Sequence, residues 1–282
     1  MTGPTVPGCV DDDVLRALAE DIGDGDLTAA LVPTGTRLRT RVIIREPAVL
    51  AGRPWFDAVF RHLDGDVAID WRVDDGDALS PDQVLCELDG DARTLLSGER
   101  TALNFIQTLS SAATLTRAYV ERVAGTGAVI LDTRKTVPGL RLAQKYAVRC
   151  GGGQNHRIGL FDAILVKENH ISAAGSITAA VERARATTRD VLVEVEVETL
   201  AQLDEACRGG ADRALLDNFG LDNLSAAVAA HGGDIQLEAS GNITLDSIRE
   251  VAETGVDFIS TGAITKHVRA IDFSMRYIGE TP

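Results

Sequence analysis

Cationic side chains are concentrated between Thr133 and His170 of a 282-residue chain whose formal net charge is −14. This stretch has two acidic residues and seven basic ones: Arg134, Lys135, Arg141, Lys145, Arg149, Arg157 and Lys167, with His156 and His170 among them. Arginine binds carboxylates and phosphates through two parallel hydrogen bonds, and lysine offers a compact point charge. A basic cluster in an acidic protein indicates either a site for small anionic ligands or a structural charge network.

The composition excludes several other classes of function. A sequence pI near 4.8 argues against nucleic-acid or membrane-surface binding, which requires a broad basic surface. The four cysteines lie far apart without a CxxC pair, so nothing in the sequence supports structural zinc or a disulfide framework. The N-terminus has no apolar leader segment, and no apolar run reaches the roughly 18–20 residues of a membrane helix. We therefore expect a soluble cytoplasmic protein.

Short apolar runs alternate with helical patterns from about residue 128 onward. The runs are AVILDT, DAILVK, VLVEVEV, RALLDN, IQLEAS and FISTGA, and the centres of the last four, at Val193, Leu215, Leu237 and Ile259, are evenly spaced. The segments between them begin at Thr or Asp, carry apolar residues at helical spacing and end at Gly, as helices do. This alternation predicts βα units with a parallel sheet and an α/β fold, namely a (β/α) barrel.

Polar residues stand at the C-terminal end of every one of these runs. They are Asp132-Thr133-Arg134-Lys135, Lys167-Glu168-Asn169, Glu196, Asp217-Asn218, Ser240-Gly241-Asn242 and Thr261-Gly262. Active sites of (β/α) barrels lie at this edge of the sheet, and the loops after the last strands often bind phosphate. The order of the residues predicts cations after the first two strands, carboxylates after the next two and a phosphate site after the last two.

The first part of the chain has a different pattern. VDDDVLRALAEDIG predicts a helix, RLRTRVIIRE a half-exposed strand, and SGERTALNFIQTLSSAATLTRAYVERV a long helix that begins at a Ser cap. We interpret residues 1–110 as an N-terminal mixed α/β domain and residues 111–267 as the barrel. The alternating segment IDFSMRYI indicates that residues 268–282 return to the first domain as a strand.

Taken together, these motifs resemble the quinolinate phosphoribosyltransferase family (nicotinate-nucleotide pyrophosphorylase, decarboxylating). The resemblance extends from EDIGDGDLTA through SGERTALNFIQTLSSAATLT and LDTRKTVPGLRLAQKYAVRCGGGQNHRIGLFDAILVKENHI to VEVEVETL, LLDN, EASGNI and ISTGAIT. It implies a seven-stranded barrel, a homodimer and Mg²⁺ as cofactor. It also implies that quinolinate and phosphoribosyl pyrophosphate react to give nicotinate mononucleotide, pyrophosphate and CO₂, a step of NAD biosynthesis.

The resemblance also assigns roles to residues. Arg134, His156, Arg157 and Lys167, with Thr133, would face the quinolinate carboxylates, and Lys135 would act in catalysis beside both substrates. Glu196 and Asp217 would be catalytic, binding the ribose hydroxyls and Mg²⁺. Ser240, Gly241, Asn242, Thr261 and Gly262 would bind the 5′-phosphate. Arg100 would enter the site of the partner subunit.

Simpler interpretations stay open for several residues. Arg141, Lys145 and Arg149 have helical spacing and could form a solvated helix face. His156 could be a core histidine, CGGGQN a mobile loop without a ligand, and Cys150 is interpreted as structural. Competing functions are a Schiff-base aldolase using Lys135 or Lys167, a nicotinate phosphoribosyltransferase without decarboxylation, and a non-catalytic phosphosugar binder.

Overall fold

The computed structural model describes residues 4–188 and 190–278. Its helices are α1 (Val10–Ile22), α2 (Arg53–Leu63), α3 (Ala92–Arg122), α4 (Arg141–Cys150), α5 (Glu168–Ala174), α6 (Ile177–Thr187), α7 (Leu200–Arg208), α8 (Leu221–His231), α9 (Ile248–Glu253) and α10 (Ala263–Lys266). Its strands are β1 (Arg37–Ile44), β2 (Ala48–Val49), β3 (Ala68–Trp71), β4 (Ala78–Leu79), β5 (Val84–Asp91), β6 (Val129–Leu131), β7 (Ala163–Val166), β8 (Leu192–Val197), β9 (Arg213–Asp217), β10 (Gln236–Ser240), β11 (Phe258–Ser260) and β12 (Phe273–Tyr277). None of the helices in these ranges is both long and apolar enough to span a membrane.

The chain forms two compact units that interleave along the sequence. The first contains the residues up to Arg117, Val137–Gly152 and the residues from His267 onward, and the second contains Ala118–Thr136 and Gly153–Lys266. Helix α3 crosses the predicted boundary at residues 110 and 111 without interruption. Residues 1–3 of the predicted first domain and 279–282 of the predicted C-terminal return lie outside the described residues.

The first unit is built around an antiparallel sheet with strand order β12-β1-β5-β3. Strand β12, from the C-terminal segment, pairs with β1, so Phe273 lies opposite Ile44. The core beneath this sheet contains Trp55, which is fully buried, contacts the ring of Tyr146 at 5.4 Å and donates a hydrogen bond to Asp13. A buried indole with its N–H satisfied adds specificity to the apolar packing.

The prediction that the long helix begins at a Ser cap is wrong. Helix α3 begins at Ala92, directly after β5, and the carboxylate of Asp91 accepts hydrogen bonds from the backbone N–H groups of Arg93 and Thr94. Those are first-turn donors that a cap must satisfy. Ser97 instead donates a hydrogen bond to Asp26 at 2.6 Å.

The second unit confirms the predicted fold class, with a six-stranded parallel sheet of order β6-β11-β10-β9-β8-β7. Val193, Val195, Leu216, Leu237 and Ile259 are buried in these strands, as expected for a parallel sheet with both faces covered. Of the predicted seven strands, six are extended, and a single bridge between Leu131 and Gln154 occupies the seventh position. Within the described ranges, no ladder pairs the Gln154 segment with β7, so the ring of strands is not closed by continuous pairing.

The helices of the second unit differ in how their N-termini are capped. Thr199 caps α7 by accepting a hydrogen bond from the Gln202 N–H, as the sequence predicts. The predicted Asp cap of α8 is wrong, because Gly220 is the N-cap and Asp222 lies in the first turn. An acidic residue in the first turn still interacts favourably with the helix dipole.

Candidate functional site

The C-terminal ends of the parallel strands bring most of the predicted site residues into one neighbourhood of the second unit. Thr133, Arg134 and Lys135 follow β6, Lys167 follows β7, Glu196 lies near the end of β8, Asp217 and Ser240 end β9 and β10, and Thr261 and Gly262 follow β11. The strand registers set Ser240 directly beside Asp217. The predicted edge therefore exists, with the residues in the predicted order.

An ion pair joins the cationic and carboxylate parts of this edge. The Nζ atom of Lys167 contacts the carboxylate of Glu196, and both side chains are partly exposed. Val166 pairs with Val195 in the parallel register, so the next residue on each strand, Lys167 and Glu196, stand side by side. In the described structure, Lys167 is thus held as a charge partner of a carboxylate, and not as an isolated amine.

The charge of Arg134 acts on Arg157. Partial burial and the neighbouring Arg134 guanidinium lower the pKa of Arg157, while Glu194 and Asp162 oppose the shift. The Arg157 guanidinium donates no hydrogen bond to another side chain within residues 4–188 and 190–278. Two neighbouring guanidiniums are suited to an anionic ligand with two carboxylates, because each can bind a carboxylate through parallel hydrogen bonds.

The loop that carries Arg157 is fixed by a buried carboxylate. Asp132 is fully buried after β6, accepts a 2.7 Å hydrogen bond from the Asn155 side-chain amide, and accepts a 2.9 Å bond from the His156 backbone N–H. Gln154, immediately before these residues, donates its N–H to Ile130. The first strand of the sheet therefore sets the position of the segment 154–157.

The ring of His156 is oriented by its own neighbour and by a buried acid. Its Nδ1 accepts the backbone N–H of Arg157 at 2.8 Å, which places the ring proton on Nε2 in the neutral form. Nε2 lies 2.8 Å from Glu194 and 3.5 Å from Glu238. The structure thus sets His156 against the acids beneath the edge, and its predicted contact with a substrate carboxylate stays a prediction.

Glu194 and Glu238 were not among the predicted site residues, yet both are buried directly below the edge. Arg213, at the N-terminal end of β9, lies 3.4 Å from Glu238 and stacks on the Phe258 ring at 3.9 Å. Burial raises the pKa of Glu238 to about 7, and the neighbouring Glu194 adds to the shift. Burial also raises the pKa of Glu194.

A signal for these two acids was present in the sequence. Residues two apart on a strand share a face. Glu194 lies two residues before Glu196, and Glu238 lies two residues before Ser240. Glu196 and Ser240 at the edge therefore each have an acid one layer deeper on the same strand face.

The loops after β9 and β10 are joined by asparagine side chains. Asn218 donates to the carboxylate of Asp217 at 2.8 Å and accepts from the Asn242 amide at 3.2 Å. Asn218 and Asn242 both have positive φ, of 58° and 52°. A Cβ on Gly241 would lie 2.2 Å from the Asn218 side-chain oxygen, so only glycine fits there. Asn218, which was not predicted as a site residue, positions Asp217.

The last strand meets the first at the predicted phosphate segment. Thr261 donates its backbone N–H to Leu131 at 3.1 Å, and the Thr265 hydroxyl donates to the carbonyl of Lys135 at 2.8 Å. Thr133 accepts the backbone N–H of Lys135 through its hydroxyl at 3.0 Å. These bonds hold the loop after β6 against the start of α10.

Arg100 and the remaining cations of the sequence cluster lie in the first unit. Arg100 is exposed on α3, and Arg141, Lys145 and Arg149 lie on α4. Lys145 is only 1% exposed, so its interpretation as part of a solvated helix face is wrong, whereas Arg149 is exposed. In CGGGQN, a Cβ on Gly151 would lie 2.5 Å from the Ala113 carbonyl oxygen. Close packing of α4 against α3 explains that glycine without a ligand.

Comparisons with known proteins cover almost the entire chain. Residues 26–110 match the model of the quinolinate phosphoribosyl transferase N-terminal domain, and residues 112–276 match that of the C-terminal domain. A probable nicotinate-nucleotide pyrophosphorylase [carboxylating] of Bacillus subtilis is 44% identical over 91% of this chain and 89% of that protein. A nicotinate-nucleotide pyrophosphorylase [carboxylating] of Mycobacterium leprae is 42% identical over 94% of this chain and 95% of that protein.

The solved structure of the nicotinate-nucleotide pyrophosphorylase from Francisella tularensis superposes with a TM-score of 0.93. It is 46% identical in sequence, and the match covers 99% of both chains. Both the sequence and the arrangement of strands thus agree with the same group of enzymes. The chain belongs to the quinolinate phosphoribosyl transferase family.

Proposed function

We propose that this protein transfers the phosphoribosyl group of phosphoribosyl pyrophosphate to quinolinate and releases pyrophosphate and CO₂. The observation that carries the proposal is the convergence, at one edge of a parallel sheet, of the Arg134–Arg157 pair with the Lys167–Glu196 ion pair and Asp217. Named relatives at 42–44% identity are nicotinate-nucleotide pyrophosphorylases. Both substrates are polyanions, and an acidic protein would repel them without such a local basic surface.

The quinolinate site is assigned to the cationic part of the edge. Arg134 and Arg157, with Lys167 and Thr133, bind the two carboxylates of the pyridine ring through charge-assisted hydrogen bonds. His156 holds the backbone of Arg157 through the bond to its Nδ1, so it contributes to this site at least by positioning Arg157. Two guanidiniums match the two carboxylates of a dianion in number and in charge.

The phosphoribosyl pyrophosphate site is assigned to the strands that follow. Glu196 and Asp217 bind the ribose hydroxyls, and the small residues Ser240, Gly241, Asn242, Thr261 and Gly262 leave backbone N–H groups accessible to the 5′-phosphate. Lys135 lies against Gly262 and thus between the phosphate segment and the quinolinate residues. Its ammonium group offsets the negative charge that builds on the departing pyrophosphate.

The order of bond changes follows from the charges. The bond between C1 of the ribose and pyrophosphate breaks, and the carboxylates of Glu196 and Asp217 stabilise the positive charge that develops on the sugar. The pyridine nitrogen bonds to C1 and becomes cationic. The adjacent 2-carboxylate then leaves as CO₂, its electron pair is stabilised by the cationic nitrogen, and a proton replaces it on the ring carbon.

The donor set at this edge fits Mg²⁺. Magnesium is commonly bound by one or two carboxylates together with substrate phosphates. Glu196 and Asp217 are two such carboxylates on neighbouring strands, and Glu196 has an oxygen beyond the one that contacts Lys167. Bound there with the substrate, Mg²⁺ would neutralise charge on the pyrophosphate.

A homodimer with a shared site is part of the same proposal. Arg100 is exposed on α3 of the first unit, so it is available to a second chain. An arginine provided by the partner would add a further charge for the quinolinate carboxylates.

The test is a stoichiometric assay. Purified protein mixed with quinolinate, phosphoribosyl pyrophosphate and Mg²⁺ should release pyrophosphate and CO₂ in equal amounts and form nicotinate mononucleotide. Nicotinate in place of quinolinate should give little product, because it lacks the second carboxylate. Pyrophosphate release without CO₂ would contradict the proposal. Borohydride trapping of a substrate on Lys135 or Lys167 would favour the aldolase alternative.

A further inference from the structure

A cysteine, a histidine and an aspartate meet on the helical side of the second unit, apart from the strand ends that carry the proposed site. Cys207 lies near the end of α7, His231 is the last residue of α8, and Asp234 is in the turn that follows. One ligand atom of each lies within 4.8 Å of the other two. Donor atoms around a tetrahedral zinc are separated by about 3–4 Å, so only small side-chain rotations would close the set around an ion.

The histidine of this cluster already has the support that metal-binding histidines use. Its Nε2 lies 2.6 Å from the carboxylate of Asp204, which is on the same face of α7 as Cys207, three residues earlier. Histidines that bind metals commonly donate one ring N–H to a carboxylate, which fixes the ring and leaves the other nitrogen for the ion. Asp204 is therefore placed to act as that carboxylate for His231.

The backbone turn from His231 to Asp234 is formed independently of any ion. Asp234 donates its N–H to the His231 carbonyl at 3.0 Å, which closes a turn through Gly232 and Gly233. Gly233 has φ of 94°, and a Cβ on Gly232 would lie 2.6 Å from the Val228 carbonyl oxygen. Helix α7 packs beside α8, so the turn and Cys207 face each other across that contact.

We propose that Cys207, His231 and Asp234 bind a divalent cation of the zinc class, with Asp204 orienting His231. Thiolate, imidazole and carboxylate together form a typical zinc ligand set, and a thiolate disfavours Mg²⁺ and Ca²⁺. Three protein ligands leave a fourth position for water or for a small ligand. The cation would connect the ends of two helices within the second unit and stabilise it. The sequence lacks a CxxC pair, and the set forms only when α7 and α8 pack together.

The experiment uses the full chain, stripped of metal with a chelator and kept reduced. Titration with Zn²⁺ alone should show one tight site per chain, and Co²⁺ should give the charge-transfer absorption of a cobalt–thiolate bond. Cys207→Ser should abolish that absorption and weaken Zn²⁺ binding at least tenfold. Asp234→Asn, at an exposed position, should also weaken binding. Asp204→Asn should weaken binding by about tenfold while leaving the absorption in place.

Cys9→Ser is the matched control, because Cys9 is the other partly exposed cysteine and lies in the first unit. It should leave both Zn²⁺ affinity and the cobalt absorption unchanged. Zn²⁺ should raise the thermal denaturation midpoint of the wild type and of Cys9→Ser but not of Cys207→Ser, and the metal-free proteins should unfold at similar temperatures. Tight zinc binding without a thiolate band would assign the ion to other ligands, such as His156, Glu194 and Glu238, and overturn the proposal. Absence of binding would overturn it as well.

Discussion

The side chain of Lys135 lies against the backbone of Gly262, and this contact joins the loop after the first strand of the parallel sheet to the loop after the last. A Cβ on Gly262 would lie 2.9 Å from Cδ of Lys135 and 3.3 Å from the hydroxyl oxygen of Thr133. Strand pairing sets Ser260 beside Leu131, so Gly262 and Thr133 are the corresponding residues two positions further. The glycine thus sets the position of a proposed catalytic lysine.

Gly262→Ala should lower kcat, because the new methyl group displaces the Lys135 side chain. A displacement of about 1 Å at a reacting group can cost on the order of 100-fold in rate. We expect a loss of ten- to about 100-fold, with a smaller change in KM for quinolinate. Gly127→Ala is the control, since nothing lies within 4 Å of its Cβ position. Equal kinetics for the two variants would show that the contact between Gly262 and Lys135 does not contribute to catalysis.

Glu238 should make the stability of the protein depend on pH near neutrality. Burial and the neighbouring Glu194 raise its pKa to about 7 in the folded protein, while His156, Ser260 and Arg213 oppose the shift. The folded state holds this proton more tightly than the unfolded state, so the stabilisation is present at low pH and is lost as pH rises through 7. The free energy of unfolding should therefore fall by about 1 kcal/mol between pH 6 and pH 8.

Glu238→Gln should remove that dependence. The free energy of unfolding, measured by urea denaturation at both pH values, should differ between them by about 1 kcal/mol less than in the wild type. Glu253→Gln changes an exposed glutamate paired with Arg249 and should leave the wild-type difference in place. An unaltered difference in Glu238→Gln would show that Glu238 does not hold the proton.

Asn218→Gly should weaken the binding of phosphoribosyl pyrophosphate. Glycine accepts the left-handed backbone of Asn218, so the variant removes the hydrogen bond to Asp217 with little strain. A hydrogen bond to a charged group is worth about 1.5–3 kcal/mol, so KM for this substrate should rise roughly ten- to 100-fold while KM for quinolinate changes little. Asp82→Gly, also at positive φ but in the first unit, is the control for backbone effects. Equal increases in both KM values would argue against a specific role in holding Asp217.

The strand ends could be predicted from the sequence because a parallel sheet places the residues that follow its strands at one edge. Lys167, Glu196 and Asp217 follow or end apolar runs, and that local pattern was sufficient. The alternation of Glu194 with Glu196 and Glu198 predicts that these acids share the face at the barrel interior or rim. Glu194 and Glu238 were still not predicted as site residues, because a Glu in an apolar strand does not reveal its partners: Glu238 meets His156 only through the fold. The start of α3 was misplaced because Ser97 and Asp91 are both good caps, and the pairing of β5 decided between them.

Arg157→Ala should weaken quinolinate binding by about 2–5 kcal/mol, the usual cost of removing one member of a buried charged contact. Arg185→Ala is the matched control in the same unit. Its guanidinium binds Asp212, which precedes β9 at the opposite edge of the sheet. Isothermal titration with quinolinate would measure both affinities. An unchanged quinolinate affinity in Arg157→Ala would show that Arg157 does not bind quinolinate.

A mixed dimer tests whether two chains build one site. Arg100→Ala and Lys135→Ala should each be nearly inactive, the first through loss of a quinolinate contact and the second through loss of charge stabilisation at the leaving group. If Arg100 serves the partner's site, one of the two sites in a mixed dimer contains both native residues. Random exchange of equal amounts makes half of the dimers mixed, so the mixture should regain up to a quarter of the wild-type activity per site. Subunit exchange would be checked by native mass spectrometry with chains of different mass. Arg149→Ala mixed with Lys135→Ala is the control, because this mixture shows how far mixing with an inactive chain lowers the activity by dilution alone. Exchange without recovery would show that each site takes Arg100 and Lys135 from the same chain, because a mixed dimer would then contain no intact site.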